Sequence, residues 1–150
     1  MSIAGAGARA AVPADVDAIC AELPEATLGE SWGGVPTWLV RGKGFVLYRE
    51  PRHDCTDPLT GEQWDDVLVL STATLEDAAS LVEDPGTPFF TIEHFTRARS
   101  KHVLLRLARV GELSRDELAE HLTDAWLARA PKTLARGWRQ GIDPSGGGRA

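Results

Sequence analysis

Three observations predict a single α+β domain. Apolar residues recur at helical spacing near both ends of the chain, and short β-prone runs broken by glycine and proline fill its middle. The length, 150 residues, suffices to close one hydrophobic core without disulfides or a structural metal. The composition, 43% hydrophobic and 25% charged, is that of an ordinary globular chain, so no disordered, collagenous or disulfide-stapled class is called for.

Val12, Val16, Ile19, Cys20 and Leu23 align on one face of a helix over about 13–22, which Pro24 ends. Residues 1–12 read as a flexible N-terminus ahead of it. Three β-prone stretches follow, Thr27–Trp32, Thr37–Val40 and Phe45–Tyr48, with Gly42-Lys43-Gly44 as the hairpin turn between the last two. Residues 50–65 are rich in Pro, Asp, Thr and Gly and read as an exposed loop before a strand at Val67–Leu70. Thr74 opens a helix with Leu75, Ala78, Ala79 and Val82 inward and Pro85-Gly86 as its stop.

Strands are expected again at about 88–92 and 102–109. In the second, Val103, Leu105 and Leu107 share one face and Arg106 takes the other. Ser114 and Glu117 form a capping box for a long helix burying Leu118, Leu122, Ala125 and Trp126. Pro131 suits the first turn of a last helix, with Leu134 and Trp138 one turn apart. The domain is therefore expected over 13–140, in the order α-β-β-β-β-α-β-β-α-α, with 141–150 as a disordered Gly-rich tail.

Several function classes are not called for by the residues. Cys20 and Cys55 lie far apart and read as free thiols. The N-terminal stretch lacks the apolar core of a signal peptide, and nothing approaches a bilayer-spanning run, so the expected location is the cytoplasm. No GxSxG, HExxH, GxGxxG or GxxxxGK[ST] motif occurs, and the chain is expected to be no enzyme and to need no cofactor. His53, Asp54, Cys55 and Asp57 carry metal-ligand side chains, but their spacing matches no standard site and reads as a solvated acidic loop; no metal is expected. The adjacent carboxylates Asp65-Asp66 and Glu76-Asp77 likewise read as solvated surface.

The net charge of −6 is unevenly spread. Residues 1–93 hold 5 Lys/Arg against 16 Asp/Glu, and residues 94–150 hold 11 against 6. Within the basic half, Arg97, Arg99, Lys101 and His102 alternate in or beside a turn between two expected strands, where basic side chains can pair with phosphates. The plain alternative is a charged turn that keeps the chain soluble. Lys132, Arg136 and Arg139 form a second basic set on the last helix, where the macrodipole by itself favours cations near the C-terminus. Of the five tryptophans, Trp126 and Trp138 fall on core faces, Trp32 and Trp38 flank a turn, and Trp64 is the candidate for exposure.

A wider pattern joins these pieces: the opening helix ending in LPE, ESWGGVPTWLVRGKGF at 30–45, FFTIEHF at 89–95, VLLRL at 103–107 and DELAEHLTDAWLARAPKTLA at 116–135. Its most specific part is DAWLARAPK, Asp124 to Lys132, supported by Trp32, Gly34 and Pro36 with an extra Gly33. In these stretches the chain resembles the MmcQ/YjbR family of small bacterial proteins described as DNA-binding. The resemblance implies a two-layer antiparallel sheet covered by helices, similar to the secretion-chaperone fold, and a double-wing mode of DNA binding. The turn RARSKH is more basic than the family's Gly-containing turn, which favours phosphate binding, whereas the long acidic loop 50–65 opposes it.

Two functions are thereby expected. In one, Arg97, Arg99, Lys101 and His102 join Lys132, Arg136 and Arg139 in non-sequence-specific contact with DNA phosphates. In the other, the domain is a protein-interaction module or homodimeric adaptor that binds no nucleic acid. Neither involves a membrane or a small-molecule ligand.

Overall fold

The computed structural model describes residues 8–141. The expectation for residues 1–7 and most of the Gly-rich tail therefore lie outside the described residues.

Helix α1, Ala14–Glu22, buries Val16, Ile19 and Cys20, the residues its periodicity selected. Val12 is the exception: it precedes the helix and stays 46% exposed. Among the described residues, the segment just before α1 is tied to the rest of the fold. Both Arg9 guanidinium nitrogens donate to Asp15 at 2.8 Å, Ala11 N donates to Leu113 O at 2.9 Å, and Ala11 is buried. Asp15 also accepts from Val12 N at 2.9 Å. The Arg9 hydrogen bonds, more than anything else, hold its carboxyl down at about 2.

Five strands follow: β1 (Ala26–Glu30), β2 (Pro36–Val40), β3 (Lys43–Arg49), β4 (Val67–Ser71) and β5 (His102–Arg106). They form one antiparallel sheet in chain order. The β2–β3 turn lies one residue earlier than expected, at Arg41-Gly42, with Lys43 already paired to Val40. Both turn residues have positive φ, 51° and 81°, as a two-residue hairpin turn matched to strand twist requires. Arg41 adopts it without being glycine and is tied to Glu25 by a bidentate ion pair. The β2–β3 register slips between Trp38 and Leu39, whose partners are Val46 and Gly44. The slip leaves Phe45 as the extra residue and sends it into the same core as Val46.

Helices α2 (Leu75–Glu83) and α3 (Glu93–Arg97) lie between β4 and β5. Thr74 caps α2 by accepting from Asp77 N at 3.0 Å. The strand expected at 88–92 shrinks to one bridge, Phe90 to Leu104, and β5 stops at Arg106, giving way to a 3-10 segment at Leu107–Glu112. Helix α4, Arg115–Arg129, carries the expected capping box: Glu117 N donates to Ser114 Oγ at 3.0 Å, and Ser114 N to Glu117 Oε1 at 2.8 Å. Helix α5, Lys132–Gly141, ends the described chain.

The first face of the sheet packs on α1 and α4. Trp38, Val46, Leu70 and Val103 meet Leu118, Leu122 and Trp126 in the main core. Asp17 ties α1 to the sheet by accepting from Trp38 Nε1 at 2.8 Å and from the Tyr48 hydroxyl, while Trp126 Nε1 donates to Pro24 O at 3.0 Å. Cys20 lies in this core, where burial pushes its thiol up to about 12 and removes thiolate chemistry. The second face holds a smaller cluster, Val67, Val69 and Leu104 beneath Cys55, with Trp64, Phe90 and Phe95 against it.

Leu122 is fully buried, so Leu122→Ala is expected to cost about 2–5 kcal/mol of stability, read as a lower urea midpoint with unchanged slope. The Asp15 pKa lies below its ordinary 3.8 in the folded chain. The stability this supplies is complete above that ordinary value and is lost as pH falls from there toward about 2. Asp15→Asn is therefore expected to unfold more readily than the parent at neutral pH, with the gap closing as pH drops through that window.

Candidate nucleic-acid interface

The first basic set sits where α3 turns into β5. The stretch expected as strand and turn is helical at 93–97 because Ile92 and Phe95, one helical turn apart, pack onto the second face of the sheet. Arg97 consequently lies four residues after Glu93 and pairs with it, both side chains 76% exposed. Such a pair is screened by water and leaves the guanidinium open to exchange its partner. Arg99, at φ 54°, turns the chain out of the helix, and Ser100 N closes the turn on Phe95 O at 2.9 Å.

The Lys101 carbonyl accepts from Thr72 N at 2.8 Å and Thr72 Oγ1 at 3.0 Å, which fixes the backbone and leaves the side chain exposed. Neither Arg99 nor Lys101 has an ion-pair partner among the described residues. His102 departs from the expected set. It is half-buried, its Nδ1 lies 2.6 Å from Ser100 Oγ, and burial and then nearby Arg129 lower its pKa from the ordinary 6.5, so it carries no standing charge outward at neutral pH.

The second set lies on α5. Leu134, Ala135 and Trp138 face inward, Trp138 against Trp126 with ring centroids 5.9 Å apart. Lys132, Arg136 and Arg139 occupy the opposite stripe and are exposed. The helix contains no Asp or Glu, so nothing within it neutralises the stripe. Arg139 lines a pocket that also takes in Thr72, the residue bonded to Lys101, so Arg139 and Lys101 border the same end of the sheet. Asp77 and Asp124 line that pocket too, which tempers the charge there. Lys132 and Arg136 share no hydrogen bond or ion pair with the 97–102 turn among the described residues. The structure thus links the two sets only through Thr72, which is bonded to Lys101 and lines a pocket with Arg139, leaves Lys132 and Arg136 as an extension of the α5 stripe, and turns His102 away.

The acidic loop is folded rather than solvated throughout. Asp57 caps Leu59 N at 2.7 Å and Thr60 N at 3.2 Å, and Thr56 bridges Gln63. Asp54 holds Arg49 bidentately at 2.7 and 3.0 Å, and Cys55 is buried with Arg49 NH1 at 3.2 Å from Sγ. The side chains that raised a metal question, His53 excepted, are therefore used in building the loop. No group of three or more His, Cys, Asp or Glu that could hold a metal ion occurs among the described residues.

Trp64, expected exposed, is half-buried instead. It stacks edge-on to Phe90 at 6.0 Å beneath the Arg106 guanidinium at 4.2 Å, and Arg106 in turn pairs with Asp66 at 2.9 Å. Asp66 is thereby also more than solvated surface. A groove of about 930 Å³ runs between this loop and α3. Its permanent charges are matched in pairs: Arg49 with Asp54, Arg52 with Glu50, Arg97 with Glu93.

Arg129 was not singled out by the sequence. It ends α4 beside His102, exposed and in no ion pair or hydrogen bond among the described residues. Its only sequence signal is its place inside DAWLARAPK.

A family model described as YjbR matches residues 21–128. No curated protein and no solved structure gives a significant match. Among the described residues no helix is long and apolar enough to cross a membrane.

Proposed function

The chain belongs to the YjbR family, and from the disposition of its free cations we propose that it binds duplex DNA through phosphate contacts that do not depend on base sequence. The observation that carries this reading is α5, whose outer stripe of Lys132, Arg136 and Arg139 has no carboxylate within the helix. Seven residues separate the ends of that stripe, about 10 Å along the axis, or roughly three base-pair steps of duplex. Arg99 and Lys101 add two exposed cations on the turn bonded to Thr72, a residue that lines a pocket with Arg139.

Arginine and lysine on a firm backbone suit this task, since phosphate contacts position a duplex without reading it. The net charge of −6 opposes long-range attraction, so binding depends on the local stripe and weakens steeply with salt. Neither cofactor nor catalysis enters this function, and the place for it is the cytoplasm.

The second reading, a protein-interaction module or homodimer, draws on the edge of the sheet. Strand β1 is an edge strand, and Leu28, beside Trp38 on the first face, is 53% exposed. Edge strands offer unpaired backbone groups to a further strand.

If Arg99, Lys101, Lys132, Arg136 and Arg139 all contact phosphates, binding of a labelled random duplex should fall with a log–log salt slope of roughly −4 to −5. Replacing the three α5 cations with alanine should flatten that slope by about 2–3 and weaken every duplex sequence alike. A slope unchanged in the variant, or no binding at low salt, contradicts the DNA reading. For the second reading, sedimentation should find a dimer that Leu28→Lys dissociates; a monomer at all concentrations counts against it.

A further inference from the structure

Beside α3, a cleft of about 420 Å³ opens over part of the sheet's second face. Its sheet wall changes character along the strands. Leu47 and Val69 belong to the apolar cluster under Phe95. Two residues further along β4, Ser71 takes the same face and pairs across the ladder with His102, while Thr37 stands opposite Leu47.

Thr37 and Ser71 are both buried polar residues. Thr37 Oγ1 is committed to Val35 O at 3.0 Å and Ser31 Oγ at 2.8 Å. Ser71 Oγ has only Gly44 O, at 3.5 Å, a length at the limit of a hydrogen bond. Gly44 matters for the room itself: a Cβ there would come within 2.9 Å of Thr37 Cγ2. The opposite wall brings His94 and Phe95 of α3, and Arg129 closes the end.

The charges in this cleft differ from those of the larger groove. Among the described residues Arg129 is its one permanent cation, and no carboxylate lines it. Arg129 is also free of ion pairs and hydrogen bonds among the described residues, so its planar donors are open to a ligand. Its volume falls in the range of small-molecule sites, which join an apolar wall to a few convergent polar groups.

We infer that this cleft binds a small monocarboxylate with an apolar body, the carboxylate on Arg129 and the Ser71 hydroxyl, the body against Leu47, Val69 and Phe95. One guanidinium matches one carboxylate in charge and in its two parallel donors. The apolar wall distinguishes such a ligand from a bare inorganic anion. This inference is independent of DNA binding, since it uses none of the five cations assigned to phosphates.

Sodium octanoate is a suitable probe, titrated into the full chain and followed by amide NMR shifts. The expected result is saturable shifts confined to the residues that line the cleft, Leu47, Val69, Ser71, Phe95 and Arg129 among them. Octanol and inorganic phosphate should each fail to reproduce them. Arg129→Gln, an exposed change that breaks no described contact, should weaken octanoate by roughly tenfold or more, the loss of a charged hydrogen-bond pair. Gly44→Ala, which crowds Thr37, should weaken it as well while the spectrum stays folded. Absence of saturable shifts, equal affinity in Arg129→Gln, or the same shifts with phosphate alone would overturn the inference.

Discussion

Strand β4 is buried along its whole length, all five residues of Val-Leu-Val-Leu-Ser. An antiparallel sheet with one wet face has no need of this; a central strand buried on both sides requires cover on both. The rest of the molecule follows from how two unequal covers are found. Helices α1 and α4 supply the first, with Leu118, Leu122 and Trp126 at its centre. The second is assembled from short, mostly irregular pieces: the β3–β4 loop with Cys55 and Trp64, the Phe90 bridge, and the five-residue helix α3.

That second cover explains where charge ends up. Folding the acidic loop down commits Asp54 to Arg49 and Asp66 to Arg106, so part of its negative charge is paired. Docking Phe95 fixes α3, and the turn leaving it holds Arg99 and Lys101 outward on a backbone anchored to Thr72. On the other side, Trp138 against Trp126 anchors α5 to the main core and leaves its basic stripe in solvent. The cations assigned to DNA phosphates are thus exposed side chains on rigid backbone, the arrangement that loses least order on binding. The cleft lined by Arg129 lies at the margin of this cover, between α3 and the sheet.

What was legible in the sequence was what depends on neighbours a few residues apart. The Ser114–Glu117 box and the Thr74 cap are local hydrogen-bond patterns and occur as read. So do the α1 and α4 core faces, whose 3.6 period comes from burial on one side. The hairpin glycines marked the β2–β3 turn to within one residue. The errors lie where tertiary packing decides. Cys55 and Trp64 sit among polar loop residues, and nothing local shows that the sheet behind them needs an apolar cover. The Glu93–Arg97 helix is too short to have a period of its own, and its Ile92–Phe95 spacing has meaning only once the second face is known. His102 was grouped with cations beside it in sequence, although strand alternation turns it inward while Lys101 faces out. The nearness of Arg129 to His102 joins residues far apart in the chain and had no local trace.

The central claim is that the cations of α5 and of the α3–β5 turn form the surface that meets DNA. Its most direct test is residue-resolved: amide shifts of the labelled chain on titration with a short duplex of arbitrary sequence, at low salt. Shifts should gather at Arg99–Lys101 and along Lys132–Arg139 and be the same for a second, unrelated duplex. Shifts gathered instead at β1 or on the 50–65 loop, or none at all, would contradict the account.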